Sequence, residues 1–217
     1  MRVRALVVLV AAICVAASMS EAKPRIGIKG GMGLSSISGK ATLDWNYNLG
    51  YVAGLSMQFN PQGQVGLMVE VLATEHGAKR AQSVPWSNLA LSLHLPTLEV
   101  PVLGMFRLDR QSVIRPYIVG GPTFAIGLNP ELRYQVMYMD DYYRPDGYEG
   151  EMELHSTHEF DIGLTFGIGA EVPLTRGLFT VEARYVHGTS GYDFERYQGI
   201  KDETISFTFG YYFGSSN

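Results

Sequence analysis

The stretch from Ile205 to Phe213 alternates without a break. Ile205, Phe207, Phe209, Tyr211 and Phe213 are large and apolar, while Ser206, Thr208, Gly210 and Tyr212 are small or carry a hydroxyl. A period of two predicts a β-strand with one greasy face. The pattern recurs upstream and predicts strands over 25–35, 48–60, 65–73, 98–108, 114–128, 159–172 and 178–186. Ile26, Ile28, Met32 and Leu34 form one such face; Phe160, Ile162, Leu164, Phe166 and Ile168 form another. The 114–128 segment is apolar on both faces, and there Ile118, Phe124, Ile126 and Leu128 are assigned outward, Arg115 and Tyr117 inward.

Turn chemistry joins these strands in pairs. Asn60-Pro61-Gln62-Gly63, Asp109 to Ser112 and Pro173 to Gly177 read as tight turns. Residues 36–47, 75–91, 129–158 and 187–202 are polar and irregular and are expected to be long loops. Connections that alternate long and short are the layout of an all-β, eight-stranded antiparallel up-and-down barrel. A soluble sandwich would alternate in the same way. The recurrence of the pattern behind a secretion signal decides between them, and none of the outward positions is charged, in keeping with lipid, where Lys or Arg at mid-depth costs ~2–4 kcal/mol. The fold expected is therefore a transmembrane β-barrel.

The inward positions carry the complement. Arg25, Lys29, Arg107, Arg115 and Arg184 stand against Glu70, Glu99, Asp161, Glu171 and Glu182. Eight strands enclose a lumen barely wide enough for side chains. A balanced set of charges there is expected to pair and plug the interior, since buried charges need partners.

The N-terminus fits this destination. Arg2 and Arg4 precede the apolar run Ala5 to Ala17, and Ser20-Glu21-Ala22 offers small residues for cleavage, so 1–22 reads as a signal peptide and 23–217 as the outer-membrane barrel domain. The single cysteine, Cys14, lies inside the signal, which excludes disulfides and thiolate chemistry from the mature chain. Removing Arg2, Arg4 and Glu21 from 17 basic and 21 acidic residues leaves 15 against 20, a net of −5, which argues against a nucleic-acid partner. The 25 glycines and 13 tyrosines suit a small curved barrel with aromatic residues at the membrane interfaces.

Several segments together carry a resemblance: G-I-K-G-G-M at 27–32, L-E-V-P-V-L at 98–103, R-P-Y-I-V-G-G-P at 115–122, D-I-G-L-T-F-G-I-G-A-E-V at 161–172, and the terminal S-F-T-F-G-Y-Y-F. In order and spacing they resemble the PorT-like, or "porin family", outer-membrane β-barrel domain over residues 25 to 213. The resemblance implies an eight-stranded barrel of Gram-negative type, mostly without an assigned activity. The aromatic last strand is similar to the signal read by the barrel-assembly machinery, although Gly214 to Asn217 follow Phe213 here.

Candidate chemistry is sparse. The segment 129–158 holds Glu131, Asp140, Asp141, Asp146, Glu149, Glu151 and Glu153 against Arg133 and Arg144, interleaved with tyrosines. It is expected to be an extracellular acidic loop, a contact surface for an unknown protein or cationic partner. Its spacing matches no Ca²⁺ loop, and the histidines have no metal-ligand spacing. Tyr185 to Ser190 is similar to the His-x-Ser element of outer-membrane lipid A deacylases, but Thr189 replaces the serine and no acid is evident to orient His187. No catalytic residue, cofactor or metal is expected. The partners expected are outer-membrane lipids and lipopolysaccharide, and the assembly machinery during insertion. The function expected is structural or interaction-type, with a narrow passive pore as the alternative and a lipid-acting hydrolase third.

Overall fold

The computed structural model describes residues 23–38, 46–84, 87–109, 112–128, 131–138, 147–153, 160–188, 192–194 and 197–214. Its strands are β1 (Arg25–Ser38), β2 (Asn46–Phe59), β3 (Val65–Val84), β4 (Ser87–Arg107), β5 (Arg115–Gly127), β6 (Glu131–Tyr138), β7 (Gly147–Glu153), β8 (Phe160–Leu174), β9 (Gly177–Gly188), β10 (Tyr192–Phe194) and β11 (Tyr197–Phe213). Eight of them close an antiparallel ring in the order β1, β2, β3, β4, β5, β8, β9, β11. The seam is the pairing of the first and last strands, with Ile28 opposite Tyr211 and Met32 opposite Phe207. Closure leaves no free edge in the ring, which a bilayer demands because it offers backbone groups no water.

Period two then sorts the side chains. Ile28, Met32, Leu49, Leu55, Phe166, Ile168, Phe207 and Phe209 are each more than half exposed and project from the ring's outer surface. Outward residues can also bury one another: Phe59 and Val69 are covered by Met57, Leu67 and Val102 on that same surface. On β1 the outward apolar run from Ile26 to Leu34 spans about 26 Å along the strand at ~3.3 Å per residue, enough for most of a hydrocarbon layer even after tilt. Met68, Leu103, Met105, Tyr117 and Val119 pack inside.

The short connections lie at one end, hereafter the turn end. Asn60 adopts φ 52°, which asparagine tolerates, and Gly63 N–H donates to Asn60 O at 3.1 Å.

The opposite end differs from the sequence expectation. Residues 75–84 and 87–91 are strand, not loop: β3 and β4 remain paired from Glu75 opposite Pro96 to Val84 opposite Ser87. The stretch 129–158 is not one loop either, since β6 pairs with β4 and β7 with β6. Within 187–202, β10 pairs with a longer β11. Four strands, β3, β4, β6 and β7, thus form a sheet beyond the apolar band. Its strands were hidden because outside lipid charge is no longer purged from the strands, and Glu75, Lys79, Glu131 and Arg133 read as loop composition.

Candidate functional site: the lumen and the outer sheet

The lumen is built in three levels. At the turn end, Arg107 Nε donates to Glu171 Oε2 at 2.9 Å and Nη2 to Oε1 at 3.2 Å. The same guanidinium donates through Nη1 to Gly63 O at 3.0 Å, tying the β2–β3 turn to the lumen floor. Gln58 Nε2 also donates to Glu171 Oε1. Arg25 and Arg115 stand on the lumen side at this level, both half-buried. Arg115 lies opposite Glu171 in the β5–β8 register.

The middle level is a closed circuit of four charges. Lys29 Nζ lies 2.8 Å from Glu70 Oε1 and 3.0 Å from Glu182 Oε1. Arg184 completes the ring by pairing with Glu70 through Nη1 and with Glu182 through Nε, the latter contact an ion pair without hydrogen-bond geometry. All four side chains are essentially inaccessible to solvent. Hydroxyls use the remaining lone pairs: Tyr117 donates to Glu182 Oε2 at 2.8 Å and Ser56 to Glu70 Oε1 at 2.9 Å. Tyr212 Oη sits 2.6 Å from Ser56 Oγ. Two charges of each sign, each in contact with both opposite charges, give these buried ions the partners that burial demands.

Glycine makes room for the two tyrosines. A Cβ on Gly169 would stand 2.4 Å from Tyr117 Cζ, and one on Gly27 would stand 2.7 Å from the Tyr212 ring. Any larger residue at either position would push a ring off its carboxylate or hydroxyl partner.

The third level, toward the outer sheet, centres on a histidine that the sequence reading left in a loop. His76 Nε2 lies 2.6 Å from Glu99 Oε1, and Nδ1 lies 2.9 Å from Thr204 Oγ1. Thr74 donates to the same Glu99 oxygen at 3.1 Å. Continuing the inward parity of Glu70, Leu72 and Thr74 by one step reaches His76, so the signal was present. Two cavities of about 20 Å³ adjoin this cluster, each large enough for a single water. Asp161 lines the second with Glu99 and Thr123.

Outside the band, the expected acidic residues are strand residues. Glu131 lies on β6 and Glu149, Glu151 and Glu153 on β7; Asp140, Asp141 and Asp146 lie outside the described residues. Register places Glu131 opposite Glu153, Arg133 opposite Glu151 and Gln135 opposite Glu149. Glu131 lies opposite His94 on β4, and His94 is joined to Glu75 on β3 at 2.6 Å. His187 meets Glu203 across β9–β11 at 3.7 Å and stacks on Tyr185. The expectation that no acid stands near His187 is therefore corrected: the acid is 16 residues away in sequence and adjacent only across the strands. Thr189 lies outside the described residues.

A known family is matched over nearly the whole chain. The family model described as an outer membrane protein beta-barrel domain matches residues 5–213. Among solved structures, Neisserial surface protein A is 10% identical, with a TM-score of 0.43, over 88% of this chain and 99% of that one. Ail, the attachment invasion locus protein of Yersinia pestis, is 15% identical, with a TM-score of 0.40, over 88% of this chain and 100% of that one. The N-terminal β-barrel domain of Pseudomonas aeruginosa OprF is 12% identical, with a TM-score of 0.34, over 88% and 100%. No curated protein matches the chain. A ring that is greasy outside and ionic within needs a bilayer around it, and the family match names which one: the chain belongs to the outer membrane protein beta-barrel domain family.

Proposed function

We propose that the protein is a non-conducting outer-membrane barrel that acts by binding, through the sheet its strands build beyond the lipid. The observation that carries this reading is the middle level of the lumen. Lys29, Glu70, Glu182 and Arg184 brace three strands, β1, β3 and β9, across the bore, and Tyr117 and Tyr212 fill the space beside them. With cavities of single-water size above this brace, passage of a solute requires breaking buried ion pairs.

In this reading residues 1–22 are removed as a signal peptide, the turn end faces the periplasm and the outer sheet faces the exterior, in keeping with short periplasmic turns and long external hairpins. The aromatic β11 is the segment offered to the assembly machinery. The likeness to PorT-like barrels supports the envelope role without assigning a partner. Glu131, Glu149, Glu151 and Glu153 give the outer sheet an acidic face, suited to a cationic protein partner or to lipopolysaccharide bridged by divalent cations. The role is non-enzymatic: His187 is engaged with an aromatic ring and a carboxylate, an arrangement that fits a rim contact.

Planar-bilayer recording on the refolded mature chain tests this. The expected result is a silent membrane for the wild type. Discrete conductance steps in the wild type would overturn the closed-lumen reading in favour of a narrow passive pore, and a lipid A mass change on co-expression, lost in His187→Ala, would overturn the non-enzymatic one.

A further inference from the structure

We propose that the turn-end mouth of the lumen is a phosphate-binding site formed by Arg25 and Arg115. Three guanidinium groups, Arg25, Arg107 and Arg115, share this level with one carboxylate, Glu171. Both oxygens of Glu171 are already taken by Arg107, and Gln58 shares one of them. Among the described residues, neither Arg25 nor Arg115 makes an ion pair or side-chain hydrogen bond, and Arg115 Nε is buried without an acceptor. Arg25 lies within electrostatic reach of Glu171 and, more weakly, of both other arginines. The local surplus is thus two positive charges in a partly closed mouth.

Such a surplus contrasts with the level above, where two cations meet two anions. It also contrasts with the acidic outer sheet. Two half-buried guanidinium groups, carried by β1 and β5 on opposite sides of the ring and both near Glu171, match a tetrahedral oxyanion that accepts paired N–H donors. Burial of the Arg115 stem lowers the entropy lost when its fork is engaged. The ligand chemistry is a phosphate group, either free in solution or carried by an anionic phospholipid whose headgroup reaches the mouth.

The test uses the refolded mature chain in a maltoside detergent, which carries no phosphate. Inorganic phosphate is titrated and followed by ³¹P line width and by calorimetry. In parallel, the chain is placed in nanodiscs of phosphatidylethanolamine with or without phosphatidylglycerol, and retained lipid is measured by native mass spectrometry. Saturable phosphate binding identifies the free ion; selective retention of phosphatidylglycerol identifies the headgroup. In either arm Arg25→Gln with Arg115→Gln weakens binding on the order of tenfold or more, as expected for loss of charge-assisted hydrogen bonds. Arg115→Lys, which keeps the charge and removes the fork, falls between. Arg176→Gln on the turn surface leaves affinity within about twofold. Heat-dependent gel mobility checks folding, and if the double variant does not fold, Arg115→Lys and Arg115→Gln carry the comparison. Absence of binding in both arms, or equal binding by wild type and the Arg115 variants, overturns the proposal.

Discussion

Removal of Arg184 tests whether the lumen brace is a single cooperative unit. In the wild type Glu70 and Glu182 share two cations, Lys29 and Arg184, in a site closed to solvent. Arg184→Met keeps most of the stem volume but leaves two carboxylates on Lys29 alone, with Ser56 and Tyr117 as neutral donors. Breaking one partner out of a buried pair costs ~3–5 kcal/mol, because the remaining charge is uncompensated. Removing the excess anion as well, in Arg184→Met with Glu70→Gln, restores one cation against one anion at Glu182. The double variant is therefore expected to recover about 2 kcal/mol or more of the loss, a coupling typical of residues in one network. The assay is urea unfolding in lipid vesicles, followed by the fluorescence of Trp45 and Trp86 and by heat-dependent gel mobility. The fluorescence and gel transitions need to coincide for the free energies to be defined. An Arg184→Met cost below about 1 kcal/mol, or additive losses in the double variant, would refute the reasoning.

Three further outcomes follow from other parts of the ring. Gly169→Ala puts a methyl into the Tyr117 ring and is expected to destabilise by ~1–3 kcal/mol, with relief on adding Tyr117→Leu, read from the same urea curves. Ile168→Arg, at a position 66% exposed to lipid, is expected to cost ~2–4 kcal/mol in vesicles, whereas Thr175→Arg at the turn is expected to cost almost nothing. Ile28→Cys with Tyr211→Cys, opposite one another across the seam, is expected to crosslink under oxidation and to keep the heated chain compact on gels.

What the sequence made legible follows the solvent. Within the lipid band, hydrocarbon purges charge from every outward position, so the alternation of Ile162, Leu164, Phe166 and Ile168 with Asp161, Thr165 and small residues is unambiguous. The inward charges were legible for the same reason, since no other face was open to them. Beyond the band the constraint lifts. Residues 87–95 still alternate, with Leu89, Leu91 and Leu93 on one face, but their partners in β3 include Lys79 and Arg80, and the composition looked like a loop. His76 was missed at that boundary. Partner choice was less legible still: sequence gives a balance of lumen charges, but only the register shows that Arg107 claims Glu171 and leaves Arg115 without it.

The pairing of β1 with β11 ties the two ends of the polypeptide into one seam. Until the final strand has been synthesised and delivered, the nascent sheet keeps two raw margins, each a row of unpaired amides and carbonyls inviting adhesion to any neighbour. Completeness is thus a matter of geometry: a chain cut short before Ile205 lacks most of the strand that joins β1 to β9 and keeps an open flank.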